Sequence, residues 1–245
     1  MAMAELPELH TLDESTFDRV LCVAAHPDDL EYGTAAAVDK WVKDGKTVTY
    51  LLVTRGEAGI DTMPPEQAGP VREQEERDGA EEVGVSVVEF LDEFRDGVVE
   101  HGLALRRAIA REIRVRRPDL VVTTTFAPYF PGGFVNQADH RAVGLATLDA
   151  RADAGNRWIF PGLVDEGLEP WSARQLLILG DPEPTHAIDV SGHFEEAVAS
   201  LSAHDRYLEA LGPDYPSPRE LLQQILEGPA SALGVEHALV GRLIG

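Results

Sequence analysis

Short, nearly unbroken apolar runs alternate along this chain with longer stretches in which apolar residues recur every three or four positions. The first rhythm belongs to buried strands, the second to helices packed by one face. The run from Arg19, RVLCVAA, is rich in β-formers and stops at His26-Pro27-Asp28-Asp29, which predicts a fully buried strand. Over 31–45, Ala35, Ala36, Val38, Trp41 and Val42 recur at helical spacing and Asp44-Gly45 supplies a glycine stop. Residues 47–54 form a second predicted strand, and 55–70, which carries Gly and Pro, a long loop of the kind that carries function. A helix is predicted over 72–83 despite Gly79 and many acids, then a strand over 85–91. Another helix, 102–117, puts Leu103, Leu105, Ala108, Ile109 and Ile113 on one face, and 120–126 is the fourth strand.

Strand and helix thus alternate, without the hairpin turns that antiparallel pairing needs. The expected architecture is α/β: a Rossmann-like three-layer sandwich with a mostly parallel sheet and helices on both faces. Beyond it lie a loop rich in aromatics and glycine (127–138), a helix over 139–154, strands at 175–179 and 185–190, and a helix over 194–211. A modest amphipathic helix at 220–226 is followed by GPASALG. With no internal repeat and no low-complexity linker, one domain is expected over 1–245, with 1–18 as an N-terminal extension and 213–245 as a C-terminal helical tail.

Composition narrows the partners. Lys plus Arg number 21 against 43 Asp plus Glu, a formal net charge of −22 that repels nucleic-acid backbones and anionic lipid surfaces. The acids are scattered, so a solvated surface explains them. The single cysteine, Cys22, excludes intrachain disulfides and sits inside an apolar run as a small core residue. The N-terminal MAMAELPELHTLDEST has acids where a secretion signal needs basic residues, and nothing later approaches the about 18 apolar residues of a membrane span. A cytoplasmic protein is expected, with neither nucleic acid nor membrane as partner.

In an open parallel sheet, ligands bind beyond the carboxyl ends of the strands, and His26-Pro27-Asp28-Asp29 lies directly after the first one. If a helix starts near Pro27, His26 and Asp29 converge and offer an imidazole nitrogen and a carboxylate oxygen to an ion such as Zn²⁺, with Asp28 pointing elsewhere but close. Two adjacent carboxylates and an imidazole gather more readily around a cation than without one. The competing reading is plain helix capping by Asp28 or Asp29, with His26 satisfying backbone groups. Asp139-His140-Arg141 follows the fourth strand and its loop, over the same sheet edge, and His140 would complete a His₂Asp set with an open position. Dinucleotide binding is disfavoured because HPDD stands where G-x-G-x-x-G belongs, and no G-x-S-x-G follows any strand.

At this point the sequence resembles a known family. Ala25-His26-Pro27-Asp28-Asp29-Leu30-Glu31-Tyr32-Gly33 together with Asp139-His140-Arg141-Ala142-Val143-Gly144 is similar to the LmbE-like, or PIG-L, family of zinc-dependent N-deacetylases. The likeness extends to Thr54-Arg55-Gly56-Glu57-Ala58-Gly59, to residues 72–85, to Arg117-Pro118-Asp119 and to Ala203-His204, covering most of residues 19–205. It implies one Zn²⁺ per chain held by His26, Asp29 and His140, with Asp28 as general base. The implied reaction removes an N-acetyl or N-acyl group from a small amino sugar or related amine, by water that zinc activates. Glu57, Arg72 and Asp96 are implied to line the substrate, each with a competing surface salt-bridge reading.

One position departs from the pattern. Many members read H-P-D-H where this chain has Gln137-Ala138-Asp139-His140. Gln137 can donate a hydrogen bond to a developing oxyanion but cannot deliver a proton or carry positive charge. Tyr129, in the loop before it, offers a hydroxyl or a substrate wall. Two other functions stay open: a metal-binding protein of this fold without hydrolytic activity, and a metal-dependent hydrolase of an ester bond. Structural roles are expected for His186, His193 and His204, and exposure for His10, His101 and His237.

Overall fold

In a computed structural model that describes residues 9–245, the RVLCVAA run forms β2 (Arg19–Ala24), pairing in parallel with β3 (Thr47–Leu52) on one side and β5 (Leu120–Thr124) on the other. The alternation of its side chains decides the layers. Val20, Cys22 and Ala24 pack into one hydrophobic core, while Leu21 and Val23 pack into a second on the opposite face. The first core is closed by α1 (Thr34–Lys43), α2 (Pro65–Glu82), α6 (Phe194–Ser202) and α8 (Pro218–Leu233), the second by α3 (Leu103–Arg116) and α4 (Ala138–Ala154). The expected α/β sandwich is therefore the observed one.

The other strands are β1 (His10–Thr11), β4 (Val88–Phe90), β6 (Gln175–Leu179), β7 (His186–Asp189) and β8 (Ala238–Ile244). Among the described residues, eight strands make one sheet in the order β1-β7-β8-β6-β5-β2-β3-β4. All pairings are parallel except those of β8, which runs antiparallel between β6 and β7. The predicted extension thus contributes an edge strand through residues 10–11, and residues 1–8 lie outside the described ones.

Several boundaries differ from expectation. The first helix starts at Thr34, because residues 27–33 form turns in which Asp28 has φ 88° and Gly33 φ 103°. Helix α2 begins at Pro65, seven residues before its predicted start: Pro65 is favoured in the first turn, and Pro70, read as the end of a loop, is accommodated inside the helix. The predicted 194–211 helix breaks at Ala203-His204 into α6 and α7 (Asp205–Leu211). Helix α8 gains a Ser217/Glu220 capping box and runs through the GPASAL segment. A one-turn helix, α5 (Gly162–Asp165), has no counterpart in the sequence reading. The C-terminal segment is also more than helical, since β8 fills a place inside the sheet. His237, expected to be exposed, is buried beside β8 with its ring stacked on Phe194 at 4.5 Å.

Candidate active site

Strands β2, β3 and β4 build the sheet in one direction, and the chain then returns to lay β5 and β6 on the other side of β2. The tips of β2 and β5 therefore flank a topological switch point, where neighbouring loops diverge and leave a crevice. His26 lies just past the end of β2, and the loop after β5 leads into α4, whose first turn holds His140.

There the two histidines meet. His26 Nδ1 lies 3.2 Å from His140 Nε2, which is 2.9 Å from Asp29 Oδ1, and Asp29 Oδ2 is 3.6 Å from His26 Nδ1. The three groups are almost wholly enclosed, their side chains 7 to 11% exposed. The capping reading does not hold, since α1 starts only at Thr34 with Gly33 as its N-cap. Asp29 Oδ2 instead accepts the backbone N–H groups of Ala25 and His26, which precede it, while Oδ1 faces the imidazole of His140.

The other ring nitrogens are fixed by partners. Asn136 donates through Nδ2 to the carbonyls of Thr125 (2.7 Å) and Ala127 (2.9 Å), so its Oδ1 must be the atom 3.0 Å from His140 Nδ1. That ring consequently carries its proton on Nδ1 and presents a lone pair at Nε2. His26 Nε2 faces Asp96 Oδ1 at 3.0 Å and Asp139 Oδ2 at 3.3 Å, which leaves Nδ1 for the centre. Asp139 is itself held by the backbone N–H groups of Gly97 and Val99. Burial works to lower the pKa of both imidazoles, but the carboxylates outweigh it: Asp139 and Asp29 hold His26 well above its usual range, and Asp29 raises His140. Burial likewise opposes ionisation of Asp29, yet His140 and His26 hold it well below the ordinary carboxylate range.

Asp28 takes a left-handed backbone conformation (φ 88°), unusual for a residue with a side chain and a strain of about 1–3 kcal/mol. Its N–H donates to Glu76 Oε2 at 3.0 Å and its Oδ1 accepts from Arg72 Nη2 at 2.8 Å, both from α2. Arg72 is buried, also donates to the Pro27 carbonyl, and lies 3.7 Å from the centroid of the Tyr207 ring. Burial pushes the Asp28 carboxyl up to about 6 against the pull of Arg72.

The remaining predicted residues are less central. Glu57 accepts the N–H groups of Arg55 and Asp96, bracing two loops, and Asp96 reaches the centre only through His26. Tyr129 is 54% exposed and pairs through its backbone with Val135 in the loop over the site. Gln137 is the exposed N-cap of α4, with no side-chain capping bond. The sequence reading gave no role to Asn136, Asp139 or Glu76. For Asn136 a signal existed, since it precedes His140 by four residues at a helix start; the partners of Asp139 and Glu76 are distant in sequence.

A family profile described as PIG-L, GlcNAc-PI de-N-acetylase, matches residues 21–151. The chain belongs to the PIG-L family. The match contains the β2 tip, α2 and the start of α4, and so His26, Asp28, Asp29, Arg72 and His140 together. The chain is 31% identical over 265 aligned positions to the 1D-myo-inositol 2-acetamido-2-deoxy-alpha-D-glucopyranoside deacetylase of Kineococcus radiotolerans, covering 82% of this chain and 71% of the relative. It is 29% identical over 191 positions to the diacetylchitobiose deacetylase of Thermococcus kodakarensis, covering 76% of this chain and 69% of that one. In fold it resembles the N,N'-diacetylchitobiose deacetylase of Pyrococcus horikoshii, with TM-score 0.84 and 22% identity, over 94% of this chain and 85% of that one.

Proposed function

We propose that this PIG-L protein is a metal-dependent N-deacetylase that hydrolyses the N-acetyl or related N-acyl amide of a small amino sugar or similar amine, giving acetate and a free amine. The observation that carries this reading is the convergence of His26 Nδ1, His140 Nε2 and Asp29 Oδ1 at the switch point, with the Asp28 carboxylate beside them. Two imidazole nitrogens 3.2 Å apart, with a carboxylate at 2.9 Å, suit tetrahedral ligation at bond lengths of about 2.0–2.2 Å once an ion takes the place of the ring protons that the carboxylates favour. These donors fit Zn²⁺, and His26, Asp29 and His140 would hold one ion per chain. Bound there, the ion supplies Lewis-acid polarisation of the amide carbonyl and acidifies water.

The chain's own groups do the rest. Arg72 holds the Asp28 carboxylate and Glu76 its N–H, and the Asp28 charge is felt by His26 and His140. A carboxyl raised to about 6 is a stronger base than an exposed aspartate and still ionised at neutral pH, as the removal of a proton from attacking water requires. Asp28 then carries that proton toward the leaving nitrogen, since Gln137 can offer a hydrogen bond but no proton. Among the residues proposed to meet substrate, Tyr129 is exposed; Glu57, Arg72 and Asp96 are largely enclosed and act through the loops and groups they brace. No helix among the described residues is long and apolar enough to cross a membrane, and a cytoplasmic enzyme acting on small molecules is part of the proposal.

Acetate release from a panel of N-acetylated amino sugars, with N-acyl and ester analogues alongside, tests the reading. Release from amides that stops on chelation is expected. Ester cleavage alone would move the activity to another bond, and no turnover by fully metal-loaded protein would favour a binding role.

A further inference from the structure

Behind the candidate active site, on the α1/α2/α6 side, lies a second group of ligating side chains that the proposed reaction does not use. Glu31, Glu76 and His204 are each fully buried, at 0% exposure. His204 Nε2 stands 3.7 Å from Glu31 Oε2 and 3.9 Å from Glu76 Oε2, too far for hydrogen bonds. Both ring nitrogens of His204, Glu31 Oε2 and Glu76 Oε1 have no hydrogen-bond partner, and neither has the buried Tyr50 hydroxyl. Buried polar atoms without partners are rare and costly, and here two of them, His204 Nε2 and Glu31 Oε2, face each other.

Charge sharpens the problem. Among the described residues no lysine or arginine comes within ion-pairing distance of either glutamate, and the buried Arg72 is committed to Asp28 and Pro27. Two wholly buried carboxyl groups and one imidazole thus share this place with no hydrogen bond among the three and no cation beside them. Neither ring nitrogen of His204 is taken by a hydrogen bond, so the imidazole has a nitrogen to give. Space has been left as well. Helix α2 carries glycine at position 79, where a Cβ would lie 3.2 Å from His204 Nε2 and 2.9 Å from the Ser200 carbonyl oxygen. Glycine in a helix interior costs about 1 kcal/mol relative to alanine, a cost that the close approach of the Ser200 carbonyl and His204 explains.

We infer that Glu31, Glu76 and His204 form a second, structural metal site for a divalent ion that accepts mixed nitrogen and oxygen ligands, such as Zn²⁺ or Mn²⁺. Donor separations of 3.7 and 3.9 Å are what three ligands sharing one ion at about 2.0–2.3 Å present, after small adjustment. The ion would tie α1's preceding turn, α2 and the α6–α7 junction together. Because Glu76 Oε2 also accepts the Asp28 N–H, it would brace the strained residue that bears the general base.

The test is diffraction from protein purified out of zinc-supplemented and, separately, manganese-supplemented culture, with data on both sides of the metal absorption edge. An anomalous peak among Glu31, Glu76 and His204 is expected besides the one among His26, Asp29 and His140, with bound metal near two ions per chain by elemental analysis. His204→Gln should lose only the inner peak and bring the content near one, while His140→Ala should lose only the outer one. A peak of water height without anomalous signal between the two glutamates in the unsubstituted protein, with a content near one, would overturn the inference whatever the variants do. That result would leave the outer site, and the deacetylase reading, untouched.

Discussion

Asp28 and Asp29 are neighbours in sequence and opposites in circumstance. Asp29 faces two imidazoles and is held ionised; Asp28 faces one guanidinium from inside the protein and is pushed up to about 6. Ligation thus falls to Asp29 and proton transfer to Asp28. His26→Ala and His140→Ala should therefore each lose the outer metal by elemental analysis, whereas Asp28→Asn should keep it while kcat for acetate release falls by about 10²–10⁴-fold. Asn136→Ala removes the acceptor that fixes the His140 tautomer, and metal affinity, read by competition with a chelator, should weaken by about 10–100-fold. The ligand candidates were legible in the sequence because each pair of chemical groups sits in one short peptide after a strand. The residues that orient them were not: Asp139 and Asp96 reach His26 from α4 and from the loop after β4, contacts that only the fold creates.

At the level of elements, the site depends on how closely α4 lies against β5. A Cβ at Gly144 would stand 2.5 Å from the Thr124 carbonyl oxygen, a backbone atom with no room to yield. Gly144→Ala should therefore lift the helix that carries His140, costing about 1–3 kcal/mol in denaturant unfolding and weakening metal retention as well. An alanine variant as stable as the parent would mean that this packing does not position the helix. Strands β2, β3 and β5 announced themselves because interior parallel strands are apolar on both faces. The edge strand β4 was overread, since only Val88–Phe90 finds a partner in β3. Helix α2 was underread because its first turns are prolines, glycine and polar residues that helical periodicity does not mark.

For the whole molecule, the sheet order could not be read from periodicity, because β8 enters between β6 and β7 from the far end of the chain. Its apolar run is interrupted by Gly241 and Arg242, and what makes it a strand is a pair of neighbours about fifty residues away or more. A chain ending at Gly234 would leave the facing edges of β6 and β7 unpaired and should aggregate in gel filtration; a monodisperse, active truncation would show β8 to be dispensable. The same long-range order brings the tips of β2 and β5 together, and with them the groups on which the proposed chemistry rests. The most direct test sets acetate release beside metal content for the parent and Asp28→Asn on one N-acetylated amino sugar that the parent turns over. Equal metal in both proteins is expected, with release by the parent and almost none by the variant. Equal release from the two would contradict it.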